Sequence, residues 1–213
     1  MTRKVCDSVV NGVVRRSPLA DVVGRNRLSA DEQATAVACE RPFQSHINLR
    51  LDPDDTVSLS RVGKLLGVDL PRSPNTVVSG QTFVAIWLGP DEWLLVGSRE
   101  LGISMALSLR QTLNPQDAAV TEIGSGQTII RLHGSATSDL LARGCMLDLS
   151  ATAFSPGVCA QTVLARVPVL LVSIDLEPTI DLIVRRSFAT YLWAWIQDAG
   201  REFGLMFTPA DLS

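Results

Sequence analysis

The clearest pattern along the chain begins at Phe43. Ile47, Leu49 and Leu51 alternate with polar neighbours, the period of a half-buried strand, and Asp52-Pro53-Asp54-Asp55 stops it. Val57 to Leu66 has helical spacing and ends at Gly67, which suits the left-handed position after a helix. Thr82 to Leu88 predicts a strand, Gly89-Pro90-Asp91 a tight turn, and Trp93 to Val96 the hairpin partner. Leu101, Met105, Leu109 and Leu113 mark a second helix closed by Asn114-Pro115, and Ala118 to Ile123 returns as a strand. Strand, helix, strand, strand, helix, strand is the order of a ferredoxin-like split unit.

Gly124-Ser125-Gly126 opens a second stretch that partly repeats this plan. It predicts a strand from Thr128 to Leu132 and a helix from Ala136 to Arg143 ended by Gly144. Three apolar segments follow, Gln161 to Val167, Val169 to Ile174 and Ile180 to Val184, separated by Pro168 and by Glu177-Pro178. A last helix runs from Phe188 to about Phe203, with Ser187 as its cap and Gly204 as its stop. On that helix Phe188, Leu192, Trp195, Ile196, Ala199 and Phe203 share one face, which is expected to be the core, and Trp193 lies off its centre. The fold class is α+β, with two ferredoxin-like, split βαβ-type subdomains. Residues 43–122 form the βαββαβ subdomain and 123–213 a second α+β subdomain with the C-terminal helix. Residues 1–42 lack a sustained period and are expected to be an N-terminal arm whose Arg15-Arg16-Ser17-Pro18-Leu19 lies on another surface.

With 46% hydrophobic residues among 213, the chain can bury one generous core or two small ones. Its 19 basic and 22 acidic residues are scattered, without a like-charge run that would hold a polyanion, so nucleic acid is not expected as a partner. The first eight residues lack the apolar core of a signal peptide, and the aliphatic stretch Val167 to Val172 falls far short of the ~20 residues that cross a bilayer. The expected setting is cytoplasmic, off the membrane. Cys6, Cys39, Cys145 and Cys159 have no metal-knuckle spacing and are expected as free thiols.

Tests for chemistry return no complete constellation. His46 and His133 are the only histidines, each inside a predicted strand. Cys145 with His133 would need a third, orienting group that the sequence does not indicate. Asp52, Asp54 and Asp55 resemble the start of a calcium loop, but Val57 stands where that loop needs glycine and Gly63 where it needs glutamate. Gly124-Ser125-Gly126 lacks the third glycine of a dinucleotide fingerprint and precedes a strand, so it is expected as a turn. The hydroxyls of Gly134-Ser135-Ala136-Thr137-Ser138-Asp139 are expected to cap a helix rather than to hold an anion. No catalytic, cofactor-binding or metal residue is assigned.

The hairpin Ala85-Ile86-Trp87-Leu88-Gly89-Pro90-Asp91-Glu92-Trp93-Leu94-Leu95 resembles the Trp-Leu-Gly-Pro-Asp-Glu-Trp-Leu-Leu hairpin of sarcosine oxidase gamma subunits. Gly144-Cys145-Met146-Leu147-Asp148-Leu149 and Phe154-Ser155-Pro156-Gly157-Val158-Cys159-Ala160-Gln161-Thr162 are similar to two further blocks of that family, with Met146 and Ser155 departing from its commonest residues. Arg185-Arg186-Ser187-Phe188-Ala189 to Trp195 resembles its last helix. The resemblance runs in order from Ser17-Pro18-Leu19 to the chain's last helix. It implies a folate-binding aminomethyltransferase-like fold and a non-catalytic subunit of a heterotetramer that oxidatively demethylates sarcosine to glycine, passing the one-carbon unit to tetrahydrofolate. It further implies partner alpha, beta and delta subunits holding FAD, FMN, NAD, tetrahydrofolate and zinc, with no cofactor in this chain. Trp87, Trp93 and Trp193 are the candidate subunit-interface residues. The alternative is a free-standing folate-binding aminomethyltransferase-like protein.

Overall fold

Asp55 and Gly67 bracket the first long helix as their chemistry dictates. The Asp55 carboxylate accepts from the Ser58 amide at 3.0 Å, and Gly67 takes φ 68° and ψ 20° with its amide on the Gly63 carbonyl. The computed structural model describes residues 7–10, 13–23, 34–113 and 117–208. Its elements begin with β1 (Asp7–Val10), β2 (Val13–Arg16), α1 (Ala20–Val23), β3 (Val37–Arg41), β4 (Ser45–Leu51) and α2 (Thr56–Leu66). They continue with β5 (Val77–Ser79), β6 (Phe83–Gly89), β7 (Glu92–Gly97), α3 (Gly102–Thr112), β8 (Ala118–Glu122) and β9 (Gln127–His133). The chain finishes with α4 (Thr137–Ala142), β10 (Cys159–Leu164), β11 (Val167–Asp175), β12 (Thr179–Arg185), α5 (Arg186–Ala199) and β13 (Met206–Phe207).

The chain divides into two units. The one that is inner in sequence, Gln44–Ser125 with Gly157–Ala160, holds a sheet in the order β5-β6-β7-β4-β8. The antiparallel run β6-β7-β4-β8, with α2 and α3 between its strands in sequence, is the predicted split unit. Alternation puts Ile47, Leu49 and Leu51 into one core with Trp93, Leu95, Val62 and Leu109. At the open end of the hairpin the Phe83 ring lies over Gly97, where a Cβ would fall 2.4 Å from the ring.

The outer unit joins the described residues up to Phe43, Gly126–Pro156 and the described residues from Gln161 onward. Its sheet runs β10-β11-β12-β9-β3-β13. Here the expected arm needs correcting. Val37–Arg41 is a strand seated between β9, antiparallel, and β13, parallel. Leu19 is buried, and Ser17 donates to the buried Glu40 carboxylate. Residues 17–19 and 37–41 therefore belong to this unit, while residues 1–6 and 24–33 lie outside the described ones.

Two further expectations change. Pro168 does not separate two strands. It is the second residue of β11, exposed, and lies ahead of the first β12 pair at Val169 and Val184. The last helix begins two residues early: Arg185 is its N-cap, with no side-chain cap, in place of Ser187. It ends at Ala199, and a short turn over Arg201–Phe203 closes at Gly204, φ 60°. The Asn114-Pro115 stop of α3 lies outside the described residues.

Candidate functional site

Most sequence candidates for chemistry have a structural position that explains them; His46 on β4 is the exception, fully buried with both ring nitrogens unpartnered among the described residues. Cys145 sits at an isolated bridge to Leu164 on β10, at one edge of the outer sheet, whereas His133 ends β9. The strands β11 and β12 stand between β10 and β9, roughly 14 Å at the usual strand spacing, so no thiol–imidazole pair forms. Asp52 accepts from the Asp54 amide, and Asp55 caps α2. Among the described residues no group of three or more His, Cys, Asp or Glu side chains is placed to hold a metal ion. Gly124–Gly126 is a short turn leading into β9.

The hydroxyl cap expected for the helix after Gly134 is absent: Ala136 is the N-cap, without a side-chain bond. Gly134 instead answers to a close approach, since a Cβ there would lie 2.5 Å from the Thr35 carbonyl oxygen, and its φ is 115°. Beside it, His133, Ser135, Leu176, Glu177, Pro178 and Thr179 line a shallow cavity of about 370 Å³. Its His133, Ser135 and Glu177 are exposed, and the hydroxyl of the buried Thr179 is spent on the Glu177 carbonyl at 3.0 Å.

The hairpin that carries the most specific sequence signal is built into the inner unit. Trp93 is fully buried, and its indole N–H donates to the Pro71 carbonyl at 2.7 Å. Glu92 accepts from the Asn48 amide and the Arg50 guanidinium, each at 2.7 Å, and Arg50 also reaches Asp91 at 3.7 Å. Burial pushes the Glu92 carboxyl up, but the bonds from Asn48 and Arg50 outweigh it and hold the group below its ordinary value. The turn acids thus fasten β7 to β4. The segment Gly157–Ala160 extends the same sheet beyond β5: Val77 N–H donates to the Gly157 carbonyl and Cys159 N–H to that of Asn75. The Cys159 thiol faces the carbonyls of Thr76 and Trp87, and burial pushes its pKa up to about 11.

Several buried polar groups of the outer unit are similarly committed, whereas the Thr137 hydroxyl and the Trp193 indole N–H are buried without a hydrogen-bond partner among the described residues. Glu40 holds Ser17 and Thr128 hydroxyls on its two oxygens; burial raises its carboxyl above the ordinary value, opposed by those bonds and by Arg186. Arg131 meets Asp181 in a two-pronged pair at 2.7 and 2.8 Å, joined by Arg41 at 3.6 Å. Glu40, Arg131 and Asp181 were not legible from sequence as a cluster, because their partners lie far along the chain.

Of the three interface candidates, Trp87 is half-buried and Trp93 and Trp193 are enclosed. The Trp193 ring packs tilted against Phe207 of β13, at 4.9 Å between centroids and 46° between planes, in the core of its own unit. The buried residues of α5 are Ala189, Leu192, Trp193 and Ile196, a face rotated roughly 60° from the expected one. Phe207 supplies the reason, since it brings core to the Trp193 side. That rotation leaves Phe188 and Tyr191 exposed and Trp195 half-buried.

A family model described as "Sarcosine oxidase, gamma subunit family" matches residues 50–202. The sarcosine oxidase subunit gamma of Corynebacterium sp. strain U-96 is 30% identical over 198 residues, covering 89% of this chain and 92% of that protein. The subunit gamma of Corynebacterium sp. strain P-1 is 28% identical over 194 residues with the same coverage. Among solved structures, a chain of the heterotetrameric sarcosine oxidase from Corynebacterium sp. U-96, in complex with pyrrole 2-carboxylate, is similar with a TM-score of 0.80 and 28% identity. The likeness covers 89% of this chain and 96% of that one. The glycine cleavage system aminomethyltransferase T from Bartonella henselae shares the fold, with a TM-score of 0.63 at 11% identity over 96% of this chain and 56% of that enzyme.

Proposed function

The chain belongs to the sarcosine oxidase gamma subunit family, and we propose that it serves a heterotetrameric sarcosine oxidase as an assembly subunit that contributes no reacting group. The observation that carries this reading is the likeness, over nearly its whole length, to one chain of such an oxidase. The complex would oxidatively demethylate sarcosine to glycine, an oxidation at a CH–NH donor, and pass the one-carbon unit to tetrahydrofolate. Alpha, beta and delta subunits would carry FAD, FMN, NAD, tetrahydrofolate and zinc. A cytoplasmic setting fits this role, and no helix among the described residues is long and apolar enough to cross a membrane.

Buried groups among the described residues support a chain without a cofactor of its own. A folate site needs a carboxylate free to meet the ligand, and the buried Glu40 has both oxygens engaged by hydroxyls. Cys159 carries a thiol whose proton is held, and His46 is buried. The free-standing aminomethyltransferase reading is further weakened by length, since the likeness to that enzyme spans 56% of it.

Co-expression with the other subunit chains of the oxidase tests the proposal. The expected result is a complex containing this chain that oxidises sarcosine, while the chain alone is colourless, inactive and gives no saturable tryptophan response to folate. Stoichiometric flavin absorbance in the isolated chain, or its exclusion from the complex, overturns it.

A further inference from the structure

The rotation of α5 exposes a surface that the chain's own cores do not use. Phe188, Tyr191 and Trp195 fall at i, i+3 and i+7, within about 60° of one another around the helix. Tyr191 is 51% exposed. The stripe continues off the helix, because the Trp195 ring packs on Gly144: a Cβ there would lie 2.6 Å from the indole. Gly144 accepts from the Ala165 amide, and the bridge between Cys145 and Leu164 puts Met146 and Val163 next to each other just beyond it. Met146 is 101% exposed and Val163 52%. Residues from three separate segments thus make one apolar surface.

Its composition is that of a protein-binding anchor. Trp, Tyr, Phe and Met are enriched in interface cores, and a bare Met side chain costs solvation unless something covers it. The charges beside it are mostly neutralised within the chain, Arg143 by Glu202 and Arg201 by Asp198. Arg166, exposed in the turn after Ala165, has no ion-pair partner among the described residues. The cavities beside His133 and beside Phe154 are lined by other residues.

We propose that the Phe188–Tyr191–Trp195 stripe with Met146 and Val163 is the face by which this chain docks onto a different subunit of the oxidase. The matching surface on that subunit is apolar, with a carboxylate placed for Arg166. The inference rests on the assembly role proposed above, and the heterotetrameric relative is what names another subunit as the occupant.

Tyr191→Glu and Met146→Glu, alone and together, test it in the co-expressed complex, with Ile103→Glu on α3 as a control at an apolar position of intermediate exposure, 65%. Each isolated variant is melted in urea, and the complex is assayed by pull-down and by size. The expected result is roughly a tenfold or greater loss of complex affinity for Tyr191→Glu and Met146→Glu, with wild-type melts and an unchanged control. Wild-type affinity in both variants overturns the docking face but leaves the assembly role standing. Failure of the wild-type chain to assemble overturns the assembly role itself. A lowered melt of Tyr191→Glu shows that the chain's own residues cover the stripe, and overturns the proposal. So does an isolated chain that is dimeric as wild type and monomeric as Tyr191→Glu, which makes a second copy the occupant. A loss in Ile103→Glu as large as in the other two also overturns it.

Discussion

The Cys159 sulfur lies 3.5 Å from the carbonyl oxygen of Trp87, so one block of sequence closes directly on another 72 residues away. The thiol proton points at backbone acceptors of Thr76 and Trp87 in a site that disfavours charge. With a pKa near 11, only about one molecule in a thousand carries the thiolate at pH 8. Cys159 should therefore resist aromatic disulfide reagents in the native chain and react on unfolding. Peptide mapping after timed labelling checks this, and labelling of native Cys159 at the rate of a free thiol would contradict the burial.

His46 makes acid the weak side of the inner unit. Burial lowers its pKa from the ordinary 6.5 to about 4, with the Gln44 backbone opposing the shift. The imidazole stays neutral in the fold while the unfolded chain takes up a proton, so its contribution is complete above pH 6.5 and is lost as pH falls toward 4. The loss is about 3 kcal/mol over that window. Urea melts of wild type and His46→Gln between pH 7 and pH 4 should converge in stability as the pH drops; parallel curves would refute the assignment.

Glu40 acts with the opposite sign. Its folded carboxyl is raised by burial, so the fold gains stability relative to the unfolded chain as pH falls through the folded value toward the ordinary 4.5. Glu40→Gln removes that titration. The difference between wild type and this variant should shift in favour of wild type as the solution is acidified, and a pH-independent difference would show that the carboxyl titrates normally.

Trp193 and Trp195 separate the two faces of α5. Trp193→Ala empties a fully enclosed site against Phe207 and should cost about 3–5 kcal/mol in the isolated chain. Trp195→Ala, at a half-buried position over Gly144, should cost clearly less. Equal urea midpoints for the two variants would contradict the observed rotation.

Local chemistry made much of the fold readable. Gly67 stops α2, and Gly89-Pro90-Asp91 turns the hairpin, because the cause lies within a few residues of the effect. β3 was hidden for the converse reason. Glu40 and Arg41 look out of place in a strand until Thr128 and Asp181 arrive from 88 and 140 positions further along to satisfy them. The face of α5 was ambiguous because apolar residues occupy more than one arc of the helix, and the residue that decides between them, Phe207, lies beyond its end. The sequence resemblance located the family, while two of the three tryptophans expected at an interface, Trp93 and Trp193, are enclosed in their own units, since a large ring is as useful inside as between chains.

The division of the outer unit into segments before and after the inner one has a consequence during synthesis. The ribosome delivers β3 first and its neighbour β9 roughly 85 residues later, an interval of about 4–17 s at ordinary elongation rates. Its other neighbour, β13, comes near the end of the described chain. Through that wait the β3 segment has neither of its strand partners, so its backbone groups are open to pairing with another nascent chain. Glu40 and Arg41, costly to bury before their partners exist, make such a mispairing unfavourable and keep the strand available for its own sheet.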